Sequence, residues 1–372
     1  MGPREEVEAK LGAVRAWLAH ERREGALFGS QADFAWLTAG ADDHVSLDAA
    51  AGVASLLVTA DDFFLLTKNN ERPRIADEEV AGLDLTMVEW PWYDPDGLAA
   101  AVARLCPPDK AVSDIGHGGV APAPPSLAAL RFTLLPAEVE RFRRLGVDAA
   151  EAVEAACLTA RRGDAETDVA AVLARECGRR GILVLVNLVG ADARIDAYRH
   201  PVPTSHRVDR TLLVALTGRR HGLHASLTRM VEFGEPDARR AAHHRACRRV
   251  DTRYLLESRP GAALVDVFAR GVEQYEAEGF ADEWRLHHQG GTTGYAGREV
   301  FGTPSADHRL DANQVVAWNP SITGAKSEDT VLVTDNGPEV LTRTAAWPQE
   351  RVELTGGAMD RPVILGRARA AL

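Results

Sequence analysis

Part of this chain recurs, and that recurrence constrains its fold more than any other feature. Arg162-Gly163, Asp168-Val169 and Gly181 return as Pro260-Gly261, Asp266-Val267 and Gly279 at a constant offset of 98 residues. Each copy reads as helix, helix, then strands. Helical periodicity covers 137–160 and about 166–180, followed by strand patterns at 182–189, 211–217 and 223–233. After Pro236 the cycle restarts with a helix to about Ser258 and another at 264–278, then strands near 284–289, 314–318 and 328–334. Glycine at a helix end and Asp near a helix start are each common. Their joint return at one spacing points to a duplicated unit with pseudo-two-fold symmetry. Such a body places its site where the strands of the two copies face each other, so chemistry is expected near 215–229 and 287–328.

The first third is organised differently. Val7, Leu11, Val14, Trp17 and Leu18 fall at helical spacing within 5–22, and strand patterns at 55–59 and 63–67 flank Ala60-Asp61-Asp62. Helical segments at 75–82, 96–105 and 125–132 alternate with strand-like ones at 85–90 and 111–114, as in a small α/β domain. Pro136 marks the boundary, giving domains 1–135 and 136–372.

Composition narrows the class. With 45% hydrophobic and 26% charged residues, disorder, collagen and coiled coil are excluded. Four cysteines (Cys106, Cys157, Cys177, Cys247) without a CxxC pair argue against a zinc finger or disulfide framework and fit a reducing compartment. A net charge of −11 speaks against nucleic acid or an anionic membrane as partner. No apolar run reaches the roughly eighteen residues of a membrane span, and the N-terminus lacks a signal-peptide core, so a cytoplasmic location is expected. Lysine occurs only at 10, 68, 110 and 326; with the long Ala runs this Arg bias suggests a high-GC genome such as an actinobacterial one.

The most unusual string is His287-His288-Gln-Gly-Gly-Thr-Thr-Gly-Tyr295, where glycines let a ligand approach the backbone beside adjacent imidazoles. Downstream come Val315-Val-Ala-Trp-Asn319-Pro320 and Lys326-Ser-Glu328-Asp329-Thr330-Val-Leu-Val-Thr334. Upstream lies Leu212-Leu-Val-Ala215 leading into Gly222-Leu-His-Ala-Ser226-Leu-Thr228-Arg229.

These segments resemble the pita-bread hydrolases, the family of creatinase, prolidase, aminopeptidase P and methionine aminopeptidase. Phe34-Ala-Trp-Leu-Thr38 is similar to a first-domain motif of creatinase-type members, and Glu138-Val-Glu-Arg-Phe-Arg143 to their entry helix. The resemblance covers nearly the whole chain. It implies an α+β fold, a pita-bread C-terminal domain with a pseudo-two-fold repeat behind a small α/β creatinase-type domain. It also implies a homodimer in which that first domain caps the partner's site.

The departures are specific. Metallopeptidases of this family hold two metal ions with two Asp, one His and two Glu. Anchoring on Gly222 and Thr228-Arg229 puts the Asp positions on Ala215 and Ser226, and the first Glu falls on Asn319-Pro320. Only His288 and Glu328 survive. A methyl group, a hydroxyl and an amide cannot balance two divalent cations, so no metal and no other cofactor is expected. Creatinase resembles this chain in fold and works without metal through a His and Glu groups; its second Glu matches Thr228 here.

The expected catalytic residues are therefore His200, in Tyr198-Arg-His200-Pro201, with His288 and Glu328; His206 and His224 remain alternatives to His200. A histidine exchanges protons near neutrality, and Glu328 would orient an imidazole or act as base. Arg229 and Lys326 are candidates to hold a substrate carboxylate, with Asn319, His287 and Tyr295 as further binding residues. In the first domain Trp36, Asp42, Asp43 and His44, on the loop after a strand, and Asn69-Asn70-Glu71-Arg72 on another, are candidate specificity loops. The reading is a metal-independent hydrolase-like enzyme acting on a small nitrogen-containing, amino-acid-like molecule. Two rivals stand beside it: a metal-dependent Xaa-Pro aminopeptidase or dipeptidase, and a non-catalytic binding module.

Overall fold

The computed structural model describes residues 1–367. The chain divides into two compact units, Met1–Val139 with His221–Leu223, and Glu140–Arg220 with His224–Leu372.

The first unit starts with α1 (Pro3–Glu21), β1 (Gly25–Ser30) and α2 (Gln31–Leu37), followed by β2 (Ala51–Thr59), β3 (Phe63–Lys68) and β4 (Thr86–Trp90). It continues with α3 (Gly97–Leu105), β5 (Ala111–Ser113) and β6 (Ala121–Pro122). The strands form one sheet in the order β4-β3-β2-β1-β5-β6. Its core gathers Leu27, Leu57, Leu66 and Val102. Lys10 is buried but satisfied: its ammonium meets Glu6 at 2.6 Å, Glu138 at 2.8 Å and the Trp36 carbonyl at 2.6 Å. Phe34 to Leu37 is helical rather than loop, because the Ser30 hydroxyl caps α2 by accepting from the Asp33 N–H at 3.1 Å.

The chain passes into the second unit along α4 (Pro136–Thr159), followed by α5 (Glu166–Arg179), then β7 (Leu183–Ala191), the short α6 (Ala193–Ala197), β8 (Thr211–Arg220) and β9 (Leu223–Phe233). Then come α7 (Ala238–Glu257), α8 (Leu264–Ala277), β10 (Gly290–Thr293), β11 (Val300–Phe301) and β12 (Val315–Trp318). The chain closes with β13 (Ser321–Ile322), β14 (Ala325–Lys326), β15 (Asp329–Leu332), β16 (Glu339–Val340), β17 (Gln349–Leu354), β18 (Gly357–Pro362) and β19 (Leu365–Arg367). One sheet runs β19-β9-β8-β7 and another β11-β10-β12-β15-β16.

The sequence repeat has a hydrogen-bonded counterpart. The N–H of Gly163 donates to the Val208 carbonyl and that of Gly261 to Leu310, while Glu166 and Leu264 donate to His206 and His308. Arg207 then returns a bond to the Gly163 carbonyl, as Arg309 does to Gly261. Gly163 and Gly261 have φ of +90° and +83°, and Gly181 and Gly279 +65° and +85°. Only glycine takes this backbone without strain, which explains why these positions recur.

The expected strand at 284–289 is not formed. Glu283–Leu286 is a 3-10 turn, and the strand begins at Gly290. The Gln289 side-chain amide donates to the carbonyls of Trp284 and His287, so a side chain satisfies groups a ladder would otherwise pair. At Gly290 (φ +97°) a Cβ would stand 2.2 Å from the Ala317 carbonyl oxygen, so β10 reaches β12 only because that atom is absent. Behind this pairing Trp318 stacks on Tyr254 with centroids 4.4 Å apart, and its Nε1 donates to Ser258 Oγ. Among the described residues no helix is long and apolar enough to cross a membrane.

Candidate active site

A cavity of about 300 Å³ in the second unit collects most of the chemistry-bearing residues. One wall is apolar, from Leu185, Val186 and Leu188 of β7 and Phe301 of β11. Ala215 and Thr217 of β8 lie two apart and so share a face, as do Ser226 and Thr228 of β9. The hydroxyls of Thr217 and Ser226 are 2.9 Å apart, which brings the two faces together.

Glu328 anchors the polar side. Its backbone bridges Thr228, whose hydroxyl donates to Glu328 Oε2 at 2.7 Å, and the Lys326 ammonium meets the same oxygen at 3.0 Å. Arg298 approaches Oε1 at 3.7 Å. Burial pushes the Glu328 carboxyl up, but the charges of Lys326 and Arg298 and the bond from Thr228 outweigh it and hold it below the ordinary range. Glu328 is thus a fixed anion and a weak base.

Beneath it lies a second buried charge network. Asp329 pairs with Arg229 and Arg361 at 2.9 Å each, Arg361 also pairs with Asp251, and Ser327 Oγ donates to Asp251. This network fixes the segment carrying Lys326 and Glu328. It also corrects the expectation for Arg229. That guanidinium is committed to Asp329 Oδ1 and to the carbonyls of Thr228 and Thr342, so it offers no fork to a substrate. Tyr295, 1% exposed, is likewise buried and does not line the cavity.

Three imidazoles form the other side. His200 follows α6, held by Arg199, which pairs with Glu283 and bonds Ser321 and Thr323. Pro201 packs against Gly190, where a Cβ would come within 2.6 Å of its ring. His287 Nε2 and His200 Nε2 are 3.0 Å apart, and His288 stacks beside them with centroids 4.4 Å from His287 and 5.8 Å from His200. All three are pushed toward the neutral form. Burial, then Lys326, His288, His200 and Arg199, lower His287 to about 2. Burial, Arg298, Lys326 and His200 outweigh Glu328 and lower His288 to about 4. His200, the more solvent-facing, is lowered by burial and Lys326 against the opposing pull of Glu328. His200, His288, Asn319, Lys326 and Glu328 therefore meet in one cavity, with His287 buried behind them. His206 does not line it; His224 does.

The first-unit candidates are placed separately. Trp36 lies inside α2, 2% exposed and edge-on to Phe28 at 6.3 Å, so it is core rather than loop. His44 pairs with Asp42. Asn70 donates to Glu71 at 2.8 Å, and both line a cleft of about 590 Å³ with Trp90, Trp92 and Tyr93.

Arg298 was missed by the sequence reading. It lies outside the His-Gly string, and its approach to Glu328 joins residues thirty apart in sequence. The apolar wall from β7 was also not foreseen, since nothing in a Leu-Val run marks it as pocket rather than core.

A duplicated α+β body with an inward-facing histidine and carboxylate pocket defines a pita-bread, aminopeptidase-type protein. The profile of metallopeptidase family M24 matches residues 140–335, and the chain belongs to that family. An uncharacterized peptidase of Staphylococcus aureus (strain MW2) is 30% identical over 125 residues, 32% of this chain and 35% of the relative. The chain thus spans about a third of the length of the curated relatives it matches. Among solved structures, a dipeptidase of Mycobacterium ulcerans superimposes with a TM-score of 0.78 at 19% identity, covering 99% of both chains. A prolidase of Pyrococcus horikoshii OT3 gives 0.76 at 16% identity, covering 90% of this chain and 98% of that one.

The family's dinuclear metal centre does not fit these residues. Ala215 has no donor atom, the Ser226 hydroxyl is engaged with Thr217, and Asn319 supplies a neutral amide. The one carboxylate, Glu328, already carries the Lys326 ammonium at 3.0 Å. Ring nitrogens of His200, His287 and His288 lie within 4.8 Å of one another, a spacing compatible with a metal ion. Yet Lys326 helps drive protons off all three rings, and the same positive field opposes a divalent ion more strongly.

Proposed function

We propose that this protein hydrolyses a C–N bond in a small amide-like substrate by metal-independent acid–base chemistry. The observation that carries the proposal is the Lys326 ammonium on Glu328, at 3.0 Å, beside three neutral imidazoles. A tethered cation takes the place that a metal ion holds in the family's peptidases.

His200 acts as proton shuttle. It is exposed where His287 is buried, and is held against His287 by the 3.0 Å contact. His287, pushed to about 2, stays neutral throughout and orients its neighbour rather than accepting a second proton. His200 takes a proton from water as the oxygen adds to the carbonyl carbon, then returns it to the leaving nitrogen. Lys326, with one donor on Glu328, has others for the developing oxyanion. His288 completes the polar wall, and Glu328 holds Lys326 in position.

The test is a panel of small amides, ureido acids and Xaa-Pro dipeptides assayed with protein freed of metal by chelator. Cleavage that persists in chelator and falls by roughly a hundredfold or more in His200→Ala supports the proposal. Activity that vanishes with chelator and returns with Mn²⁺, Co²⁺ or Zn²⁺ refutes it.

A further inference from the structure

Arg298 is the least satisfied charge in the cavity. Its side chain is 12% exposed, and its Nε has no hydrogen-bond partner. One Nη donates only to the adjacent Gly297 carbonyl, and the other stands 3.7 Å from Glu328 Oε1, beyond hydrogen-bond range. Lys326 and Thr228 already occupy Oε2. Two cations therefore share one carboxylate, and this buried cluster carries one positive charge in excess. An uncompensated buried charge is strongly unfavourable and is relieved by an incoming anion.

A second polar group is also unmatched. Asn319 is 3% exposed and its Oδ1 has no partner, so the cavity presents an acceptor as well as a fork of donors. The apolar wall of Leu185, Val186, Leu188 and Phe301 completes a volume of about 300 Å³, at the small end of ligand sites. Among the described residues the only carboxylate lining the cavity is Glu328, and Lys326 has neutralised it. Among the described residues no free carboxylate there balances an ammonium group, and Lys326 and Arg298 repel one.

We infer that the cavity is a subsite for an N-acylated amino acid, a small carboxylate whose nitrogen is an amide rather than an ammonium. Its carboxylate docks on the Arg298 fork, which matches a planar anion in bidentate fashion. Its amide N–H donates to Asn319 Oδ1, and its aliphatic part lies on the apolar wall. The inference rests on the hydrolytic reading above and names its substrate class. Hydrolysis consumes one water: the hydroxyl joins the acyl carbon, the C–N bond breaks, and the proton passes through His200 to the leaving nitrogen. The products are a carboxylic acid and a free amino acid.

Calorimetric titration of the full chain tests this with three probes: N-acetyl-L-leucine, N-acetyl-L-leucinamide, which lacks the carboxylate, and L-leucyl-glycine, which carries a free ammonium. N-acetyl-leucine is expected to bind at least about tenfold more tightly than either, the scale of one charge-assisted hydrogen bond. Arg298→Gln should abolish that preference and Arg298→Lys retain part of it. Asn319→Leu, which keeps the charges, should weaken N-acetyl-leucine without favouring the amide. Equal binding of the leucinamide, tighter binding of leucyl-glycine, or no heat from N-acetyl-leucine with folded protein overturns the inference. Selective binding without release of acetate and leucine refutes the hydrolytic reading while the subsite stands. Metal-free cleavage of leucyl-glycine without N-acetyl-leucine binding does the reverse.

Discussion

Replacing Glu328 by Gln keeps the shape of the side chain and removes the one anion that pairs with Lys326 and Arg298 among the described residues. The carboxylate is 5% exposed and Lys326 is 7% exposed, so water cannot take over the lost pairing. Two buried cations would then lie near a neutral amide. Breaking a buried ion pair from one side costs about 3–5 kcal/mol. For a body of this size that lowers the melting temperature by on the order of 10 °C. The pH dependence follows from the lowered Glu328 pKa. A carboxyl held below its ordinary 4.5 contributes stability above that value and loses it as pH falls through the folded-state pKa. The gap between wild type and variant should therefore be full at pH 7 and shrink in acid. Glu328→Gln combined with Lys326→Met removes one of the stranded cations and should recover about half the loss. Denaturant unfolding followed separately for each transition reads all three quantities. A single-variant loss below about 1 kcal/mol, a gap that widens in acid, or a double variant no better than the single refutes the charge argument.

Other outcomes follow from single positions. Asp43 is buried with one carboxylate oxygen unpartnered, and burial raises its pKa to about 7. Since the folded pKa lies above the unfolded one, its ionisation destabilises as pH rises through 7; Asp43→Asn should raise the melting temperature at pH 8 and change little at pH 4. Gly290→Ala should disrupt the β10–β12 pairing by more than about 2 kcal/mol, because its Cβ would meet the Ala317 oxygen at 2.2 Å and its φ is +97°. Gly178→Ala, in α5 with open space around its Cβ, should instead stabilise by about 0.5–1 kcal/mol, and thermal melts compare the two. If neutral His200 is the base, activity requires its unprotonated form; because burial and Lys326 hold its pKa below the ordinary histidine value, the acid limb of the pH–rate profile should have its midpoint below 6.5. A midpoint at or above 7 in the pH–rate profile would exclude that role.

The repeat, legible as four letters at one spacing, corresponds to backbone geometry: the left-handed glycines and the returning arginines are local requirements that leave a mark in sequence. The loss of metal-binding carboxylates was legible because a family motif gives absences a position. What escaped the sequence was non-local. Arg229 and Arg298 are the same residue type, yet one is locked to Asp329 and the other reaches Glu328 at 3.7 Å. Periodicity does not distinguish those outcomes, because each depends on which strand passes behind it. Trp36 misled for a local reason: a seven-residue helix capped by Ser30 is too short to show a helical period.

The Lys326–Glu328 contact has a consequence for supply. A metal ion must be acquired, competes with other proteins for the same pool, and is lost to any stronger chelator. An ammonium group on the polypeptide is delivered once per chain by the ribosome and cannot be exchanged for the wrong element. On the metal-independent mechanism proposed above, the charge facing Glu328 is written in the gene, indifferent to metal scarcity and to mismetallation alike.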